Sequence, residues 1–144
     1  MDDPFDLNRF VRAQEGDYER ALAEIKAGQK RSHWMWYIFP QIAGLGSSAM
    51  AQRYAIQSRA EAEAYLAQPL LGARLVEASE ALLKLEGRSA AEIFGFPDDR
   101  KLRSCATLFA AVSPNGSVFQ QLLDRFFQGE PDPETVRRLR DPKD

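Results

Sequence analysis

Helix punctuation limits the architectures open to this chain more than any other feature. Start and stop signals alternate at short intervals, and the apolar residues between them recur at helical rather than strand spacing. Asp3-Pro4 reads as an N-cap and first helical residue, followed by a stripe of Phe5, Leu7, Phe10 and Val11 that ends near Gly16. Asp17 opens a second helix carrying Tyr18, Leu22 and Ile25, with Gly28 as its stop. The turn Gly44-Leu45-Gly46-Ser47-Ser48 leads into a helix over 49–56. Ser58 with Glu61, and Ser89 with Glu92, have capping-box spacing. Pro69 opens a longer helix reaching Glu86, with Leu71, Leu75, Ala78, Leu82 and Leu85 inward. Asp98 or Asp99 caps a helix whose stripe is Leu102, Cys105 or Ala106, Phe109 and Val112. Ser117 caps a helix through Phe127, and a short C-terminal helix is expected over about 132–140.

No run alternates apolar and polar residues over a strand's length, and β-branched residues are few. The expected fold is all-α: one compact domain over 1–144, its core over about 4–128, with seven to nine short helices around a central aromatic helix. A chain of 144 residues is long enough to bury such a core. A net charge of −2 supplies no basic field, so nucleic acid and anionic membrane surfaces are not expected partners. The longest apolar runs, 34–39 and 105–112, are too short to span a bilayer. The single Cys105 excludes an internal disulfide and a cysteine metal cluster. With a start, Met1-Asp2-Asp3-Pro4, unlike a leader, it points to a reducing, cytoplasmic setting.

The stretch from Lys30 to Gln41 holds both tryptophans and the only histidine. As a helix over 33–39 it places His33, Trp36 and Tyr37 on one face and Trp34 with Ile38 on another. A helix apolar on every side is buried on every side, so Trp34, Met35, Ile38 and Phe39 read as a packing hub. The polar residues at its ends do not follow from packing. Ser32 can cap the helix, and Lys30 and Arg31 with the first amides would attract an anion. A neutral His33 can take or give one proton. The alternative is solvated charges and a histidine satisfied by its neighbours. Lys101 and Ser104 lie one turn apart on one helix face, and nothing in the sequence brings them to His33. Cys105 falls on an apolar stripe, which suits an inert core thiol better than a nucleophile. One histidine without carboxylates at ligand spacing gives no metal site. Gly44-Leu45-Gly46-Ser47-Ser48 matches neither a Walker loop nor a dinucleotide fingerprint, so no cofactor is implied.

These residues resemble the bacterial family catalogued as domain of unknown function 1810. The likeness runs from Ser32-His33-Trp34-Met35-Trp36-Tyr37-Ile38-Phe39-Pro40-Gln41 through Gly44-Leu45-Gly46-Ser47, Tyr54-Ala55-Ile56-Gln57-Ser58 and Tyr65-Leu66. It continues through Pro69-Leu70-Leu71-Gly72-Ala73-Arg74-Leu75, Ile93-Phe94-Gly95, and Lys101 with Thr107-Leu108-Phe109. The resemblance implies an all-helical single-domain fold and no established activity. Some members carry the name calpastatin, after a disordered animal protease inhibitor; a chain this rich in aromatics does not fit that name. The polar members of the signature, carried onto this chain, are Lys30, Ser32, His33, Gln41, Ser48, Tyr54 and Lys101. Many relatives carry histidine where this chain has Gln68, so a two-histidine site is not expected.

The expected function is a pocket at the N-terminal end of the aromatic helix for a small anionic, flat ligand, such as a nucleotide or related metabolite. Trp34 or Trp36 would stack on it, Lys30 and Lys101 would neutralise charge, and His33 and Gln41 would hydrogen-bond. Were the ligand turned over, His33 would be the only reasonable general acid–base. The alternative is a helical protein-interaction module without catalytic activity.

Overall fold

A computed structural model describes residues 3–140. Side-chain caps set most of its helix starts. Ser48, Ser58, Ser89 and Ser117 accept the amides that open α4 (Ala49–Arg53), α5 (Arg59–Ala67), α7 (Ala90–Phe94) and α9 (Val118–Phe127). Gln68 does the same for α6 (Pro69–Leu83), and Asp132 for α10 (Pro133–Leu139). Each such cap contributes about 1 kcal/mol. The Ser89–Glu92 capping box forms in full, whereas Glu61 turns its carboxylate to the Gln57 amide instead of the Ser58 amide.

Three expected helix starts are corrected. Asp3 accepts the Leu7 and Asn8 amides at 2.7 and 2.9 Å, so α1 (Asn8–Gln14) begins later than its Asp-Pro pair suggests. Asp17 precedes α2 (Tyr18–Lys26) without capping it, because its carboxylate is taken by the Tyr37 hydroxyl and Arg20. Asp98 and Asp99 lie inside the first turn of α8 (Asp98–Ala111), with Pro97 at the capping position. The aromatic helix is also shorter than expected. It is one turn, α3 (Met35–Ile38), and Ser32 does not cap it. Its flanks are held by other elements: the Lys30 amide donates to the Ile93 carbonyl at 2.7 Å, and Ser32 is bound by α2.

The described residues thus form ten helices and no strand, in one compact domain. Helix α8 packs against α9, α7 and α10, while α6 packs against α5, α9 and α2. Two aromatic groups fill the centre. Trp34, Phe39 and Phe94 make one, and a file running Phe10, Tyr65, Phe109, Phe119 makes the other. Rings of this size dominate core energetics. A lone parallel bridge, Ile42 to Ile56, ties the loop after α3 to the segment after α4. Two hydrogen bonds hold it, Ala43 N to Ile56 O and Ile56 N to Gln41 O, both 2.8 Å. Behind this bridge Arg9 pairs with buried Glu61 at 2.8 Å and donates to the Ala55 carbonyl, fixing α1 to the same segment. Among the described residues no helix is long and apolar enough to cross a membrane.

Candidate functional site

The stretch before α3 is shaped by one acid that the sequence does not advertise. Glu24, on α2, accepts the Arg31 and Ser32 amides at 2.8 and 3.0 Å, the Ser32 hydroxyl at 2.5 Å and the Trp34 indole N–H at 2.8 Å. Partial burial pushes its carboxyl pKa up. The hydrogen bonds from Ser32, Arg31 and Trp34 outweigh that push and bring it down to about 2. The carboxylate is therefore a fixed anchor for residues 31–34. Trp34 is 0% exposed, so it is a core ring and offers no face to a ligand. Ser32 serves the same anchor.

Asp98 gathers the two lysines. Its carboxylate lies 2.9 Å from Lys30 Nζ and 3.2 Å from Lys101 Nζ. Lys30 also donates to the Ser32 carbonyl, stands 5.0 Å from the Trp34 ring centre, and has only 7% of its side chain exposed. A cation held by a carboxylate, a carbonyl and an indole face is fully engaged inside the protein. Lys101 differs. It stands 5.2 Å from the ring centre of half-buried Trp36 and keeps 24% of its side chain in solvent. Two ammonium groups share one carboxylate, so the cluster retains a positive charge.

Lys101 and Trp36 border a cleft of about 460 Å³, within the size range of small-metabolite sites. One wall is the loop after α3, carrying Gln41, Ser47 and Ser48. The facing wall is the start of α8, with Pro97, Arg100, Lys101 and Ser104. Asp132 and Glu134 close one end. Both of those acids have internal partners: Asp132 accepts Thr135 N and Oγ1, and Glu134 pairs with Arg137 and Arg138. Gln41 and Arg100 on the walls are less fully engaged. The Gln41 side-chain amide makes no hydrogen bond among the described residues. The Arg100 guanidinium meets no carboxylate there, resting instead 4.7 Å from the Phe96 ring centre. The open charge of the cleft is thus cationic. A narrow recess beside it, lined by Trp36, Gln41 and Tyr54, is almost filled by protein, at about 10 Å³.

The nine residues singled out from sequence therefore divide. Trp36, Gln41, Ser48 and Lys101 meet in the cleft, and Tyr54 lines the recess beside it. Lys30, Ser32 and Trp34 form the supporting cluster behind. His33 is exposed, lies outside the cleft lining, and uses its backbone carbonyl to accept the Tyr37 hydroxyl. Sequence reading missed Glu24 and Arg100. Glu24 gives no local signal, since it acts across a loop. Arg100 sits in an acid–base run that helix-dipole complementarity already accounts for, so the sequence gives no separate signal for it. Cys105 is buried in the core, which pushes its thiol pKa well up. Among the described residues no group of three His, Cys, Asp or Glu side chains is placed to hold a metal ion.

The profile of the family described as "Protein of unknown function (DUF1810)" matches residues 4–139. The chain belongs to this family. It is also similar to a solved structure, the conserved hypothetical protein Rv1873 from Mycobacterium tuberculosis, refined at 1.38 Å. The two are 50% identical and superpose with a TM-score of 0.93, covering 95% of this chain and 98% of the other. No curated protein matches it. Family membership thus carries the all-helical fold and the aromatic signature, and brings no activity with it.

Proposed function

We propose that this family member binds a small anionic ligand with a flat portion, such as a nucleotide or a related phosphorylated metabolite, in the cleft between the loop after α3 and the start of α8. The observation that carries the reading is the convergence of Trp36, Gln41 and Lys101 on one solvent-open cavity, where, among the described residues, Arg100 meets no carboxylate and the Gln41 side-chain amide makes no hydrogen bond. Arg100 supplies the countercharge and a planar donor set suited to phosphate or carboxylate. Lys101 adds charge beside the Trp36 ring, and Gln41 and Ser47 donate from the opposite wall. Lys30, Ser32, Trp34 and the Glu24 anchor position Trp36 and Asp98 without touching the ligand. His33 stands off the cleft, so the reading is of binding, with no imidazole acid–base step. The setting is reducing and cytoplasmic, in keeping with a lone core thiol.

Titration calorimetry with AMP, ADP and inorganic pyrophosphate tests this. One of the three is expected to bind one-to-one, with Arg100→Ala and Lys101→Ala each weakening it about tenfold, or about 1.4 kcal/mol. His33→Ala leaves the affinity within about twofold. Absence of binding by all three, or binding indifferent to Arg100 and Lys101, contradicts the reading. One observation favours a second reading, the interaction module without catalytic activity: Phe96, beside Pro97 and under Arg100, is 72% exposed. An exposed ring stacked by arginine has the chemistry of an anchor for a protein partner. Under that reading nucleotides do nothing and Phe96→Ala removes partner binding.

A further inference from the structure

Helix α10 borders a second recess, formed with α8 and α9 and separate from the cleft just described. It has a volume of about 320 Å³. Its floor is apolar, built by Ala110 from α8, Leu123 from α9, and Val136 and Leu139 from α10. Its two charged lining residues, Arg59 and Arg140, have the same sign. Arg59 donates one guanidinium N–H to the Ala111 carbonyl at 2.7 Å and meets no carboxylate. Arg140 has no side-chain partner among the described residues. Two buried cations elsewhere are matched by carboxylates, Arg9 by Glu61 and Lys30 by Asp98, whereas Arg59 and Arg140 are exposed. Arg59 and Arg140 thus bring two guanidinium groups without a carboxylate partner among the described residues to the lining of one apolar recess, a planar donor set that an anion can engage.

We propose that this recess binds a small amphiphilic carboxylate. Its hydrocarbon body lies on Ala110, Leu123, Val136 and Leu139, and its carboxylate is clamped by Arg59 and Arg140. A volume at the low end for ligand sites suits a short chain. The apolar floor excludes a purely ionic ligand such as phosphate, which would leave that surface wet. The arginine pair excludes a neutral hydrocarbon, which would leave the charges unmatched. The occupant is thus a free monocarboxylate with a saturated or aromatic tail.

Titration of the full chain with hexanoate, octanoate and octanol, all below micelle-forming concentration, tests this. The expected result is saturable one-to-one binding of octanoate. Affinity rises roughly fourfold per methylene from hexanoate, as buried CH₂ groups predict. Octanol binds at least about tenfold more weakly, because it cannot use the arginines. Arg59→Gln and Arg140→Gln each weaken octanoate about fivefold or more, and Ala111→Trp, which fills the recess from an exposed position, abolishes binding. Arg100→Ala, in the other cleft, leaves octanoate binding unchanged, so the two sites fail or succeed separately. Thermal unfolding confirms that each variant folds. If an arginine variant does not fold, the octanol comparison and Ala111→Trp decide alone. Octanol binding as tightly as octanoate, octanoate binding undiminished in Ala111→Trp, or no saturable binding overturns the proposal.

Discussion

Single side chains explain why the aromatic signature looks as it does. Glu24 converts an irregular stretch into a rigid one by accepting hydrogen bonds from residues 31, 32 and 34. Its carboxyl falls from an ordinary 4.5 to about 2 on folding. A depressed carboxyl stabilises the fold above its unfolded pKa, and that contribution is lost as pH falls from about 4.5 towards 2. Because the carboxylate is partly solvated, the contribution is about 2 kcal/mol, less than the full linkage value. Glu24→Gln is therefore expected to lower stability by about 2 kcal/mol at neutral pH, a deficit that shrinks as pH drops below 4.5. Urea denaturation of both proteins across pH checks it; a deficit that does not vary with pH contradicts it. None of this was legible beforehand, since an acid that reaches across a loop leaves no periodic trace. Caps were legible for the opposite reason. Ser48, Ser89, Ser117 and Asp132 each bond within three residues of themselves, so local spacing reveals them.

At the scale of elements, the apolar pattern located the buried segments but not the length of α3. Trp34, Met35, Ile38 and Phe39 are all buried as their density implies. A run apolar on every side is equally satisfied by one turn flanked by tertiary hydrogen bonds, and Glu24 and Ile93 provide those bonds. Helix pairing shows a similar limit. Gly72 lies in the first turns of α6 where α5 passes closest, and a Cβ there would stand 2.1 Å from the Leu66 carbonyl oxygen. Glycine to alanine within a helix gains about 1 kcal/mol in propensity. Overpacking against backbone, which cannot step aside, costs about 3 kcal/mol or more. Gly72→Ala is thus expected to destabilise by about 2 kcal/mol, read from the midpoint of chemical denaturation, whereas a propensity-driven rise in stability contradicts the packing account.

For the whole molecule, the sequence foretold an all-helical domain and placed Trp36, Gln41, Ser48 and Lys101 in one candidate set. It could not foretell that Asp98 would bind both lysines, because residues 30 and 98 meet only through the packing of α7 and α8. Closure of the core predicts a simple chemical result. Cys105 is enclosed among helices with its thiol pKa raised by burial, so a disulfide reagent such as DTNB is expected to react only at the rate of unfolding. Rapid labelling of the native protein contradicts that closure. The cleft is framed by α10 as well, where the Arg138 side chain lies against Gly44, a residue at φ +96 that leaves room for the guanidinium. The two indoles report on the cleft independently, one engaged by Glu24 in the core and one beside Lys101 at the cleft wall. The most direct measurement is a two-dimensional nitrogen–proton NMR titration of the labelled protein with ADP. The account predicts saturable movement of the Trp36 indole and Gln41 side-chain amide signals while the Trp34 indole stays fixed. Movement of Trp34 with Trp36 and Gln41 unperturbed, or no movement at saturating ADP, AMP and pyrophosphate, contradicts it.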